Sequence, residues 1–299
     1  MATTDRQRAT RNIIIFTALM SGLAWGGAQL GGTPKEPGLG LLVWGAAPIG
    51  AALIMKLVLR DKVDMGWRPR LRGNGRWYLL SLLFFPAVMG SALAAGLLLG
   101  AATLHPMDLA TLASVVAPAA VIYTIFAFFE EVGWRGYLAP KMATVDARLS
   151  GHLWVGLIWA SWHFPFLTQI VPGTTENLVT LAPRFVVGTV ALAVVYGEIR
   201  LRTNSLWPAV LMHAVGNTIG NSVLASLGAT PLITLAPGLE WLASPGIEGV
   251  LVIALCVAVG GTLYVRRQRQ SQAGTRTNAG RYGEHPSGRR APAADPSVK

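Results

Sequence analysis

Cysteine is almost missing from this 299-residue chain, with Cys256 the single one. That excludes a disulfide framework and a cysteine-based zinc site. Its place inside an apolar stretch marks Cys256 as a packing residue. Charge is scarce as well. Asp, Glu, Lys and Arg make up 13 % of the residues, against roughly 25 % in an ordinary soluble domain. Acidic residues are the scarcer sign, 14 against 25 basic, for a net charge of +11. Hydrophobic residues reach 52 % and the mean hydropathy is +0.47. These values exclude a soluble globular protein, and equally a chain disordered over most of its length.

What is present is a series of long apolar runs. A bilayer core takes about 20 apolar residues as helix. The runs predict eight transmembrane helices at approximately 13–31, 39–58, 78–103, 109–138, 151–171, 178–197, 204–226 and 247–265. The expected fold class is all-α, a polytopic membrane helical bundle. Residues 1–12 read as a cytoplasmic N-terminal segment and 13–265 as the membrane domain, with its functional core at about 109–226. Residues 266–299, rich in Arg, Gly, Ser, Pro and Ala, read as a disordered basic cytoplasmic tail. The first apolar run is not read as a signal peptide, because no small-x-small cleavage site follows it.

Orientation follows from the positive residues. They gather in the N-terminal segment, between Lys56 and Arg76, at Lys141 and Arg148, at Arg200 and Arg202, and in the tail. The alternate connections hold only Lys35. Both termini are therefore expected in the cytoplasm. The basic excess is mainly topological, so nucleic acid is not an expected partner. Attraction to anionic lipid headgroups would be a side effect.

Ionisable groups at membrane depth are costly and usually face a bundle interior or water. Glu130, Glu131, Arg135, His163, Arg184 and His213 are such groups, with Asn217 a neutral partner. His152 reads as interfacial, His105 as part of an outer loop and His285 as part of the tail. Glu131 and Arg135 stand four apart, so on a helix they share a face and can pair. Glu130 points about 100° away from them and has no obvious partner, which suits a general base. Trp134, Tyr137 and Leu138 carry the helix on to about Pro140, which puts the carboxylates inside the span. His213 and Asn217 are also four apart and share a face.

Each group alone has an ordinary reading: an interfacial ion pair, a packed histidine, an interhelical hydrogen bond. Depth ties them together. At about 1.5 Å per residue, Glu130 lies ~15 Å above the cytoplasmic helix end, His163 ~18 Å, His213 ~14 Å and Asn217 ~20 Å. One slab holds them all, which predicts a single buried, wet cavity nearer the cytoplasmic side.

A carboxylate, two imidazoles and a carboxamide suit hydrolysis by activated water, with donors for an oxyanion. The same groups could ligate a divalent metal such as zinc. An H-E-x-x-H helix, a G-x-S-x-G turn and any intramembrane aspartate are all missing. Two other classes fit less well. A proton-coupled transporter would use Glu130 and Arg184 as its intramembrane charges, but no inverted repeat is visible. A non-catalytic scaffold or immunity factor would bind a peptide in the cavity.

Taken in order, the segments resemble the CPBP family, which contains CAAX prenyl endopeptidases, bacteriocin-processing enzymes and bacteriocin self-immunity proteins. Glu130-Glu131-x-x-x-Arg135 matches its E-E-x-x-x-R motif, Trp159-x-x-x-His163 its F-x-x-x-H with Trp for Phe, and His213-x-x-x-Asn217 its H-x-x-x-N. The resemblance covers about 113–220. It implies an intramembrane endopeptidase in which Glu130 activates water and His163 assists. His213 and Asn217 would form the oxyanion hole, with Glu131 and Arg135 in support. The family is often labelled metalloprotease, yet its glutamate-centred mechanism needs no tightly bound metal. No required cofactor is expected, with Zn2+ the alternative. The implied partners are a peptide or protein substrate, lipid-modified in the prenyl-processing branch, and membrane lipid. The implied location is the plasma membrane of a bacterium, with the site nearer the cytoplasmic face.

Overall fold

A computed structural model of the chain describes residues 3–33, 36, 38–170, 177–224 and 232–282. The long apolar runs form helices, since a chain in hydrocarbon must satisfy its backbone polar groups within itself. The helices are α1 (Thr3–Ala28), α2 (Leu39–Val58), α3 (Gly75–Leu98), α4 (Leu109–Val145), α5 (149–170), α6 (Leu178–Thr203), α7 (207–224), a short α8 (Glu240–Ala243) and α9 (Val250–Tyr282). Five of them, α2, α3, α4, α6 and the 250–272 part of α9, are long and apolar enough to cross a membrane. The chain is a helical integral membrane protein.

Local chemistry sets the helix ends. The Asp108 carboxylate accepts from the Thr111 amide at 2.9 Å and caps α4. The Asn177 side chain caps α6 by accepting from the Val179 amide at 2.9 Å. Asn204, with φ +47°, ends α6 in the left-handed region. In its interior α4 widens into a π-helical stretch at Val132–Leu138, just past the two glutamates. Helix α7 packs between α3 and α4, while α5 packs on α6, α6 on α9, and α1 on α2. Two glycines permit close approaches around the polar segments. A Cβ on Gly133 would lie 2.5 Å from Pro48 of α2, and one on Gly216 would lie 2.5 Å from the Phe85 ring of α3.

The structure corrects the sequence reading at several points. The chain is not wholly α. Helix α3 stops at Leu98, Gly100 turns the backbone at φ +68°, and Ala102–Leu104 (β1) pairs antiparallel with Ile233–Leu235 (β2). The expected third helix therefore ends short of 103. His105, placed in the outer loop, joins this ribbon through Nε2 at 3.0 Å from the Thr234 hydroxyl. At the N-terminus, helix α1 already runs from Thr3, ahead of the expected start at 13, with Ala9 and Asn12 buried. At the other end α9 does not stop at 265. Arg267 donates to the Glu198 carboxylate and to the Ala147 carbonyl, which keeps the next turn docked. The helix continues to Tyr282, and residues 283–299 of the expected tail lie outside the described residues.

Candidate active site

The site is built where α4 changes its winding. Glu130 and Glu131 end its α-helical part, and Arg135 sits in the π-helical stretch that follows. π-bulges of this kind often occur at functional sites. Glu131 and Arg135 form an ion pair at 3.0 Å, both fully buried, on the shared face the spacing predicts. The Arg135 guanidinium is clamped between two rings, 4.2 Å from the centroid of Trp159 and 4.1 Å from that of Tyr196. Such cation–π contacts gain strength away from water.

His213, on α7, touches both carboxylates. Its Nδ1 lies 2.7 Å from Glu131 Oε1 and its Nε2 lies 3.4 Å from Glu130 Oε1. The imidazole packs edge-on against Trp159 and Tyr196, with ring centroids at 5.8 and 6.0 Å. Glu130 is not without partners, contrary to the sequence reading. Its Oε2 accepts from the indole N–H of Trp134 and from that of Trp159, each at 3.3 Å. Trp134 stands one turn along from Glu130, and Trp159 reaches across from α5.

His163 joins at one remove. Its Nδ1 lies 3.0 Å from the Trp159 carbonyl, and its ring packs against Trp162 and Phe185 at 4.6 and 4.9 Å. Trp159 thus touches Glu130, Arg135, His163 and His213. Asn217 sits one turn past His213 and is half-buried, and its backbone carbonyl accepts from the side-chain Nδ2 of Asn221 at 3.0 Å. Four atoms in this region are buried with no hydrogen-bond partner among the described residues: Glu131 Oε2, Arg135 Nε, Arg135 Nη2 and Tyr196 OH. Buried polar atoms of this kind are usually met by internal water.

Several contributors have weak sequence signals. The indole donor of Trp134 is foreshadowed only by its i+4 spacing from Glu130. Tyr196 has no signal at all, because it reaches the cluster from another helix. Arg200, counted above as a topological charge, is buried. Its Nε donates to the Arg135 carbonyl at 2.8 Å, Nη1 to the Asn204 side chain at 2.8 Å and Nη2 to the Asp64 carbonyl at 2.7 Å. His152 also has a defined protein partner. It is buried, with Nε2 3.0 Å from Glu198, which Arg202 and Arg267 also meet. Arg184 donates to the Thr180 and Glu248 carbonyls at 3.2 and 3.1 Å.

Glu130 Oε1 and His213 Nε2 face each other, but among the described residues no group of three or more His, Cys, Asp or Glu gathers as a ligand set. A catalytic zinc takes three protein ligands, one more than the pair that faces each other here among the described residues.

A polytopic helical membrane protein with a buried carboxylate–imidazole–guanidinium cluster is the class that fold and site define. Residues 111–219 match the family model described as "Type II CAAX prenyl endopeptidase Rce1-like", and every residue of the cluster lies inside that range. A curated protein, CAAX prenyl protease 2 of Methanococcus maripaludis, is 32 % identical over 50 residues, 17 % of this chain and 18 % of that protein. The chain thus matches less than a fifth of that relative's length, and the family match at 111–219 spans the helices that carry the cluster.

Proposed function

We propose that this protein is a membrane-embedded endopeptidase of the CAAX protease type, acting by glutamate-activated water. One observation carries the reading: a single imidazole, His213, lies 2.7 and 3.4 Å from two adjacent buried carboxylates, within a segment that matches the CAAX endopeptidase family. Glu130 takes a proton from a water molecule, whose oxygen bonds to the scissile carbonyl carbon. His163, positioned from the Trp159 carbonyl, assists that water. His213 and Asn217 donate to the oxyanion. The carbon–nitrogen bond then breaks, and the proton held by Glu130 passes to the leaving amine. Glu131 fixes the orientation of His213 through Nδ1, and Arg135 fixes Glu131.

Charge supports this division of roles. With His213 as imidazolium, two carboxylates face two cations, and the buried cluster is neutral. A neutral cluster avoids most of the cost of holding ions away from water. The substrate is a peptide or protein terminus at the membrane surface, lipid-modified as the relative's name suggests. Eight membrane-crossing helices with both termini in the cytoplasm, and a location in the plasma membrane of a bacterium, complete the proposal.

Glu130→Gln tests it. The variant is expected to keep its helical circular dichroism and to lose cleavage of a prenylated CAAX peptide by about 10²-fold or more. Cleavage at the wild-type rate by this variant would reject the assignment. Wild-type activity is expected to survive exhaustive dialysis against a chelator, and its loss with recovery on adding Zn2+ would reject the metal-free course.

A further inference from the structure

The connection between α2 and α3 plays no part in the chemistry proposed above. It joins two helices long and apolar enough to cross a membrane, so it lies at the headgroup level of one leaflet. Residues 56–76 hold seven basic and two acidic side chains. The main chain of this connection is pinned from behind. The Leu206 amide donates to the Gly66 carbonyl at 3.0 Å, the Trp207 indole to the Trp67 carbonyl at 2.6 Å, and Arg200 to the Asp64 carbonyl at 2.7 Å.

Most of the basic side chains face outward. Arg60, Lys62, Arg68, Arg70 and Arg72 are exposed, and among the described residues no carboxylate stands within 4.0 Å of them as an ion-pair partner. Both local acids make their hydrogen bonds elsewhere. Asp61 takes Lys141 and Tyr137 at 2.7 Å each, and Asp64 takes the Gly66 amide at 3.0 Å. Arg60 and Arg70 are held in the left-handed region, at φ 51° and 50°. That conformation is uncommon for large side chains and persists only where the surroundings impose it. Between the arginines, Leu59, Trp67 and Leu71 are exposed by 48, 44 and 64 %.

We propose that this connection is a docking surface for the headgroups of anionic phospholipids. Basic groups without an ion-pair partner among the described residues match phosphate in charge. Exposed tryptophan and leucine between them suit the boundary between headgroups and acyl chains. An acidic protein segment would satisfy the charge but not the apolar side chains at headgroup depth. The surface also reaches the candidate site, since Arg200 bonds both the Asp64 carbonyl and that of Arg135. That link matters to catalysis only on the proposed peptidase reading. The lipid surface itself does not depend on it.

The test uses the full chain in nanodiscs of equal parts phosphatidylglycerol and phosphatidylcholine, with either lipid spin-labelled. Wild type is expected to immobilise more phosphatidylglycerol than phosphatidylcholine, with the preference removed by 1 M salt. Arg68→Gln/Arg70→Gln/Arg72→Gln loses the preference with unchanged helical content, and the corresponding triple Lys variant retains it. Arg6→Gln/Arg8→Gln/Arg11→Gln removes the same charge elsewhere and retains it too. The proposal is overturned if wild type shows no preference or the triple Gln variant of the connection keeps it. Equal loss in the N-terminal variant, or capture of an acidic peptide without lipid preference, overturns it as well. Peptidase activity enters none of these readouts, so failure of the proposed function stays distinguishable.

Discussion

At the scale of the residue, Arg135 bears most directly on stability. It neutralises Glu131 in a fully buried pair and shows its faces to Trp159 and Tyr196. Removing one member of a buried pair leaves the other charge uncompensated, at a cost of about 3–5 kcal/mol. Arg135→Met is therefore expected to lower unfolding stability in detergent by that amount, followed by circular dichroism in a denaturant series. An unchanged midpoint would mean that the cluster does not need its guanidinium. The pair itself is legible in the sequence, because i and i+4 on a helix always share a face. The rings that clamp the arginine are not, since Trp159 and Tyr196 come from helices far away along the chain.

At the scale of the element, the connection between α2 and α3 depends on one glycine and one carboxylate. Gly66 has φ +72°, and a Cβ there would lie 2.9 Å from the Arg200 guanidinium and 3.0 Å from the Leu206 amide. Gly66→Ala combines left-handed strain with that crowding. A loss of about 1–3 kcal/mol is expected, read as a lower thermal midpoint, and an unchanged midpoint would contradict the packing. Asp61 ties the connection to α4. Burial works against its ionisation, but hydrogen bonds from Lys141, Tyr137 and Asn12 outweigh burial and hold its carboxyl below the ordinary value of 3.8. A depressed folded value stabilises the fold above pH 3.8, and that contribution is lost as the pH falls through the folded value. Asp61→Asn is accordingly expected to lower stability at neutral pH and to flatten the acid limb of the stability–pH curve. Parallel curves for variant and wild type would reject the tie.

The π-helical stretch at Val132–Leu138 also belongs to this scale. The sequence marks it only by two glycines, Gly133 and Gly136, in an apolar run. The winding follows from contacts on two sides. Gly133 lies against Pro48 of α2, and Arg200 takes the Arg135 carbonyl. Neither partner is near in sequence, so the helix could be read through this region but its change of pitch could not.

At the scale of the whole molecule, the arrangement of termini and loops can be tested with the one native cysteine removed. Cys256 is buried, so Cys256→Ala gives a thiol-free background. Thr4→Cys and Gln270→Cys are expected to react with an impermeant thiol reagent from the same face of sealed vesicles, and Leu104→Cys from the opposite face. Labelling of the two terminal positions from opposite faces would remove the even count of crossings.

The sequence by itself determined the membrane-helix class and the spacing of the three polar motifs along their helices. Hydropathy over about 20 residues and the helical period are local properties, readable without knowing what lies opposite. Only the tertiary structure decided which groups touch. It placed His213 between Glu130 and Glu131, turned two indoles onto a carboxylate that had no evident partner, and brought Arg200 to the Arg135 carbonyl. Contacts between helices depend on rotation and depth against a neighbour, and those are set by packing.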